Sequence, residues 1–408
     1  MSNPDVLGAF CYEVESAWGE DSTSFATRRL STIGRPQLTL NYDSEPANRV
    51  QQYRSAGSPH VKMTMGGEVT FTLDLPGNGS TMVGSPTISA PLTFLGAAIG
   101  VVGLSASTST TLTGGTAASP TTTASGTFAA GGLCRIGALG DGDGDGQMYS
   151  ILTHATTTLN LRGAMNGAPV NGAVLYPVVQ VYPYTSPTAN VAITGIRFLW
   201  QSSNLCYELH GCWLKSYTLN NFNTGGRPQI TLTFGISWWR ESTATFPSSV
   251  TADVFNPAPV AAGSFNVQLV GTTTRNARSI RDFTVTITRN VSELKGPGGV
   301  NAAQTTIGAR HLGDDVQISW TEDADAATTT PTLAGYWSSG SSYHVEYTLS
   351  TVDGSAMGIS FPKVCPSGSK PVQTSSDGVN RIMLSGSAYT SDTTTSALTL
   401  APYVLGSA

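Results

Sequence analysis

The sequence predicts an all-β protein with one or two short helices, organised as two tandem sheet-rich domains. Three observations predict this. The 408 residues carry only 12% charged side chains, hold 45 glycines and 22 prolines, and draw about a quarter of their number from Thr and Ser. Thr is β-branched and stiff, so the composition favours strands and turns over helices. Second, short segments alternate apolar and polar residues with the period of two expected of a half-buried strand. Third, those segments recur in the same order later in the chain, the signature of an internal repeat. A helix bundle or coiled coil is disfavoured on the same grounds.

The alternating segments can be taken in order. Leu38-Thr-Leu40-Asn-Tyr42 falls on Val285-Thr-Ile287-Thr-Arg289, and Val69-Thr-Phe71-Thr-Leu73 falls on Val316-Gln-Ile318-Ser-Trp320, both at a displacement of 247 residues. Each earlier strand of these pairs follows an Arg-rich approach: Arg28, Arg29 and Arg35 in one, Arg275, Arg278 and Arg281 in the other. Further on, Ile230-Thr-Leu232-Thr-Phe234 falls on Ile382-Met-Leu384-Ser-Gly386, and Val191–Ile196 on Tyr343–Thr348, both at 152. The first copy therefore carries about 95 extra residues. Residues 105–185 are the place for them. They are Thr/Ser/Gly-rich, near low complexity from Thr108 to Thr123, with strands of their own expected around Thr156–Leu161 and Val174–Tyr182. The expected domains are 36–245, with that insertion, and 264–408, joined by a Pro-rich linker at 246–263. Pro91–Ile99 is the candidate short helix.

Each paired strand has two faces. Leu38/Leu40/Tyr42, Val69/Phe71/Leu73, Ile230/Leu232/Phe234, Val285/Ile287, Val316/Ile318/Trp320 and Ile382/Leu384 form apolar faces. Gln37/Thr39/Asn41, Thr70/Thr72, Thr231/Thr233, Thr284/Thr286/Thr288 and Gln317/Ser319 form small polar ones. Antiparallel sheets with one wet face show this alternation. Open sheets leave edges that invite pairing, and these strands lack edge Lys. Pairing of edges between subunits, closing into a ring, resolves the difficulty.

The chain at this point resembles the tail tube (major tail) proteins of long, non-contractile-tailed bacteriophages, in the versions with a duplicated tube domain. The resemblance is carried by several segments. They are Glu15-Ser-Ala-Trp18-Gly19-Glu-Asp-Ser-Thr23 leading into Phe25–Leu30, the Asn48-Arg49-Val50 loop, the Gly66–Leu73 strand, Pro91–Gly96 at the helix position, and the apolar tail Ala397–Ala401. It covers nearly the whole chain outside 105–185. It implies an N-terminal arm at 1–35 and tube-like β-sandwich or barrel domains that give strands to a ring-shaped barrel between subunits. It implies rings of three chains with six similar positions, stacked into a hollow tube through which DNA is ejected. Glu68, Thr70, Thr72, Asp315, Gln317 and Ser319 would face the lumen. The implied partners are further copies, a tape measure protein and transiting DNA in the lumen, and tail terminator and tail tip proteins, with no membrane. The implied location is the virion tail, assembled in the host cytoplasm, with no enzymatic activity and no cofactor.

Composition fits that expectation. The net charge is −5, with 12 basic and 14 acidic residues before position 246 and 9 and 12 after it. No basic patch is visible, so tight phosphate binding is disfavoured. A lumen lined by Thr, Ser and Gln with scattered carboxylates presents DNA with a neutral to negative surface. Five scattered cysteines do not form a secreted disulfide framework. Asp5, Glu13, Glu15, Glu20 and Asp21 speak against a signal peptide, and the longest apolar run, Phe94–Leu104, is too short to span a bilayer. A cytoplasmic, soluble protein is expected.

Chemical alternatives are weaker. Asp141-x-Asp143-x-Asp145-Gly146 opens like an EF-hand loop, but its twelfth position is Leu152 where the bidentate Glu belongs, leaving a solvated acidic turn. Cys206-x3-His210-x-Cys212 offers three zinc ligands without a second pair, and Cys212 adjoins an apolar strand. Neither a Gly-x-Ser-x-Gly elbow nor a phosphate-binding Gly-x4-Gly-Lys occurs. Glu322, Asp323 and Asp325 near Trp320 and Trp337 allow a glycosidase pair, against the plainer reading of an acidic loop after a strand. Trp238-Trp239 suits a core or an interface equally. No catalytic residue is assigned. The alternatives are a carbohydrate-binding or adhesin-like β-sandwich protein, with or without hydrolase activity, and a tail terminator ring that does not polymerise.

Overall fold

Alternation and turn chemistry produce 29 strands and one helix among the described residues of the computed structural model. It describes residues 10–20, 28–46, 60–79, 87–124, 127–137, 146–184, 191–202, 205–222, 226–242, 251–252, 256–257, 263–296, 306–323, 340–350, 355–367, 372–376, 379–390 and 401–407. The chain begins with β1 (Phe10–Val14), β2 (Arg28–Arg29), β3 (Ile33–Pro46), β4 (His60–Asp74), β5 (Pro76–Gly77), α1 (Ala90–Ile99) and β6 (Gly100–Leu104). Next come β7 (Thr110–Gly115), β8 (Pro120–Thr122), β9 (Leu133–Ile136), β10 (Met148–Ala155), β11 (Thr158–Leu161) and β12 (Val174–Pro177). After them are β13 (Val179–Pro183), β14 (Val191–Ala192), β15 (Ile196–Ser202), β16 (Leu205–Asn220), β17 (Gln229–Ile236) and β18 (Trp238–Glu241). Two short bridges, β19 (Thr251–Ala252) and β20 (Asn256–Pro257), lie in the segment expected as a linker. The chain ends with β21 (Ser264–Leu269), β22 (Asn276–Arg278), β23 (Ile280–Lys295), β24 (Thr306–Asp323), β25 (Tyr343–Ser350), β26 (Met357–Pro366), β27 (Val372–Ser376), β28 (Val379–Tyr389) and β29 (Val404–Ser407). The protein is all-β.

Two sets of strands follow the same pairing path, antiparallel throughout. The first runs β2–β1–β15–β16–β17–β4–β3. The second runs β22–β21–β25–β26–β28–β24–β23. Long strands turn the corner between layers. The N-terminal half of β16 pairs β15, while Trp213–Asn220 pairs β17. Gly211 sits at that corner with φ +57°, and a Cβ there would come within 2.8 Å of the Ser237 Cβ, so only glycine makes the turn without strain. In the second set, β26 turns likewise from β25 to β28.

The segment 105–185 divides. Strands β7–β12 close a six-stranded barrel, in order β7–β8–β11–β10–β9–β12, around Leu112, Phe128, Ile136, Tyr149, Ile151, Leu159 and Leu175. β13 instead rejoins the main sheet, between β6 and β29. The Thr-rich stretch is ordered by hydroxyl pairs across strands, Thr110 with Thr123 at 3.1 Å and Thr113 with Thr121 at 3.0 Å.

One core serves both sets. Phe10, Phe71, Phe94, Phe198 and Phe234 meet at 4.8–6.4 Å in the first; Phe222, Phe265, Phe283, Tyr347 and Phe361 meet at 5.3–6.1 Å in the second. α1 starts with Pro91 in its first turn, where the missing N–H costs nothing. It buries Leu92, Phe94, Leu95, Ala98 and Ile99, covering the apolar face of β4. Within the segment expected as an arm, Phe10–Val14 is a core strand: Phe10, Cys11 and Tyr12 are buried against β15.

Phe71 is 3% exposed amid four rings, so Phe71→Ala is expected to lose about 3–5 kcal/mol, whereas Thr72→Ala on the opposite face loses about 1 kcal/mol. Urea unfolding of both variants checks the contrast.

Candidate functional site

The six residues expected to face a lumen lie on one face of one continuous sheet. Its strand order is β3–β4–β17–β16–β23–β24–β28, and β28 then pairs the C-terminal end of β26 and β27. Cross-strand partners form polar rows. One row is Gln37–Thr70–Thr233–Ser216–Thr288–Asp315 and the next Thr72–Thr231–Thr218–Thr286–Gln317–Ser387. Ser319 continues the face opposite Thr284 and Ser385, and Glu68 lies opposite Thr39. Hydroxyls satisfy one another along the rows, Thr72 with Thr231 at 2.9 Å and Thr70 with Thr233 at 3.1 Å. The Gln317 amide donates to Asp315 at 2.9 Å and accepts from Ser387 at 3.1 Å. Glu68 pairs with Lys215. The intervening side chains, among them Val69, Phe71, Leu232, Tyr217, Ile287, Val316 and Ile318, are buried on the other side. Sequence reading missed Ser216, Thr218 and Lys215, because a bulge between Leu214 and Ser216 breaks the alternation of β16.

This face exists because β16 pairs β23, Ser216–Leu219 against Val285–Thr288, which joins the two sets side by side. The seam has further ties. Arg289, standing where the alternation of β23 requires an apolar residue, donates to the carbonyls of Ala98, at 3.0 Å, and Ile99 at the end of α1. It lies 3.4 Å from Asp314, which holds His311 at 2.8 Å. Burial pushes the Arg289 guanidinium down, and Asp314 opposes that shift. β29 ties the β6–β13 pair to the second set, lying between β13 and β26. Such an out-of-phase charge was the signal in the sequence.

The Glu15–Glu20 segment is clamped beside the seam. The Glu15 carboxylate, 4% exposed, accepts from Gly211 N at 2.8 Å and Gly19 N at 2.7 Å. Gly195 makes room for it, since a Cβ there would lie 2.1 Å from Glu15 Oε2. Trp18 Nε1 donates to Thr306 O at 2.9 Å, tying the first set to β24, and Trp238 Nε1 donates to Gly19 O at 3.0 Å. Burial pushes the Glu15 carboxyl up to about 7, outweighing the two amide donors that favour the ion.

The candidate ligands of other chemistry are dispersed. Cys212 belongs to the main core, Cys206 to a small cluster with Cys11 and Leu199, and His210 stacks on Trp238 at 3.9 Å. Among the described residues no three His, Cys, Asp or Glu side chains form a metal-binding group. Asp141–Asp145, Asp325 and Trp337 lie outside the described residues. Glu322 is in β24 rather than a loop, buried and bonded to the buried Trp320 at 2.9 Å; burial raises its carboxyl. Trp238 is core and Trp239 half-buried. No helix among the described residues is long and apolar enough to cross a membrane. No protein-family model and no curated protein matches the chain.

A carboxyl at about 7 when folded and near 4.5 when unfolded binds its proton more readily in the folded state. Its contribution to stability is therefore present below pH 4.5 and lost as pH rises through 7, a fall of about 3 kcal/mol at most. Glu15→Gln cannot titrate. Denaturant midpoints across this range are expected to show the extra fall in the wild type and its absence in the variant.

Proposed function

We propose that this chain is a structural subunit that joins edge to edge into rings, stacked as the hollow tube of a phage tail and used as a conduit for DNA. The observation that carries this reading is the β16–β23 seam. It joins the last long strand of the first set's polar sheet to the first strand of the second set's. The β23 kind of edge recurs unpaired at one end, where β3 pairs only β4 among the described residues, and the far end is open at β27, which pairs only β28. A neighbouring chain supplying β3 to that far edge repeats inside the ring what the chain already does within itself. Three chains then give six similar positions around one lumen.

Two further features support it. The polar face carries Glu68 paired with Lys215, Asp315 and rows of hydroxyls, a surface that DNA phosphates do not grip. The apolar side of β3 is also incompletely covered. Leu38 and Leu40 are half-buried and line a groove of about 410 Å3 with Arg35, Trp200, Leu205 and Tyr207. Their counterparts Val285 and Ile287 are fully buried.

Electron microscopy of the concentrated full chain is expected to show rings or tubes, and Leu38→Asp is expected to leave a folded monomer. A wild type that stays monomeric in sedimentation at high concentration, or rings unaffected by Leu38→Asp, overturns the edge assignment. Virions carrying Thr70→Arg and Thr72→Arg are expected to assemble but deliver DNA poorly; normal delivery removes these residues from the lumen.

A further inference from the structure

The closed barrel meets the second set of strands over a buried ionic cluster. Ser150 N donates to Glu346 Oε1 at 2.9 Å, Ala164 N to Thr273 O at 2.9 Å, and Arg275 lies over the Tyr149 ring at 4.5 Å. Two guanidiniums, Arg162 and Arg275, gather here around one carboxylate, Glu346. Arg275 takes that carboxylate, with Nη2 3.1 Å from Oε2. Arg162 feels the same carboxylate but makes no ion-pair contact with it among the described residues, and its Nε is buried without a hydrogen bond. Arg162 lines a cavity of about 300 Å3 between the barrel and β21–β26.

The cavity has a second unmet need of the opposite kind. Gln268, 4% exposed, spends its amide N–H groups on the carbonyls of Arg162, at 2.6 Å, and Thr272. Its Oε1 is buried with no donor. His344 contributes a ring edge, held by Ser360 at 3.0 Å. The remaining walls include Leu152, Leu161 and Val270, and Leu152 and Val270 are exposed at the rim. Small-ligand sites combine apolar walls with a few convergent polar groups in cavities of ~300–1,000 Å3, and buried donors and acceptors without partners are rare in native proteins. With Glu346 already engaged by Arg275, a second guanidinium beside a carbonyl oxygen without a donor among the described residues suits a ligand with both functions.

We propose that this cavity binds a small hydroxylated carboxylate, the chemistry of a single acidic sugar unit. The carboxylate sits on Arg162, a hydroxyl donates to Gln268 Oε1, and the C–H face lies against Leu152, Leu161 and Val270. The volume admits one ring at the lower end of the range, so the site reads a terminal or free unit rather than the middle of a chain. The site stands apart from the polar face and does not depend on ring assembly.

Saturation-transfer NMR on the full chain, with D-glucuronate, D-glucose and butyrate at equal millimolar concentration and ionic strength, tests it. Glucuronate is expected to give transfer and raise the melting temperature, and the other two to do neither. Arg162→Gln is expected to weaken glucuronate about tenfold or more, the value of a charge-assisted hydrogen bond. Leu152→Trp, a rim substitution that leaves the buried cluster untouched, is expected to block entry with an unchanged fold. Equal transfer from glucose or butyrate, no transfer from glucuronate, or a glucuronate signal that survives Leu152→Trp overturns the proposal.

Discussion

The structure depends on four residue pairs of backbone, Ser216–Leu219 against Val285–Thr288. Without them each set of strands would end in a long edge of unpaired N–H and C=O groups over an apolar layer, a state that is costly and prone to association. With them the two sheets become one, and a single core runs beneath both. The pairing also determines what crosses the seam. Because side chains alternate across a strand, one register places Thr218 beside Thr286 and Ser216 beside Thr288, so polar rows run through without a break. A slip of one residue would bring Val285 and Ile287 to the wet side.

The seam is reinforced in a way that separates it from an ordinary sheet contact. Arg289 reaches under α1 to two carbonyls that the helix end leaves without partners. A cation at a helix C-terminus is favoured by the backbone dipoles, so one side chain satisfies both the helix and the seam. Breaking a buried charge contact is much costlier than never having made it. Arg289, Asp314 and His311 therefore hold the two sets in one arrangement, and Trp18 adds a tie to β24.

Strands with one wet face were legible in the sequence because period-two alternation survives in them: Leu38–Leu40, Val69–Leu73, Ile230–Phe234, Val285–Ile287 and Val316–Trp320 lie where their spacing placed them. The shared polar face of Glu68, Thr70, Thr72, Asp315, Gln317 and Ser319 was legible for the same reason. Other elements carry no such signal. Phe10-Cys-Tyr12 is buried on both sides and short, so it reads as any apolar run. The barrel strands are built from Thr and Gly whose meaning lies in partners far along the chain, Thr122 with His154 and Ser119 with Asn160. The corner at Gly211 throws His210 and Cys212 out of simple alternation, which is why a zinc-like spacing in sequence is scattered in space. Arg162 and Gln268, 106 residues apart, meet only because the barrel docks.

Equivalent strands of the two sets differ in their surroundings. β3 and β23 occupy the same place in the two pairing paths, and both present alternating aliphatic residues. Val285 and Ile287 are fully buried because β16 lies alongside; Leu38 and Leu40 are half-exposed because β3 has no such neighbour among the described residues. Between Pro36 and Pro46, both within β3, this edge carries no Lys, a usual device that discourages pairing. Such an edge at one end of the sheet and a differently built edge at the other would form a heterologous pair between chains. Heterologous contacts close into rings when the rotation between units completes a turn and otherwise grow without limit. In such a ring the β16–β23 contact would set the rotation for one step. Repeating it between chains keeps every polar row on the same side of the sheet, so closure would gather Thr70, Thr72, Gln317 and Ser319 around a common axis and leave the barrel, attached through the opposite layer at Glu346 and Thr348, outside it.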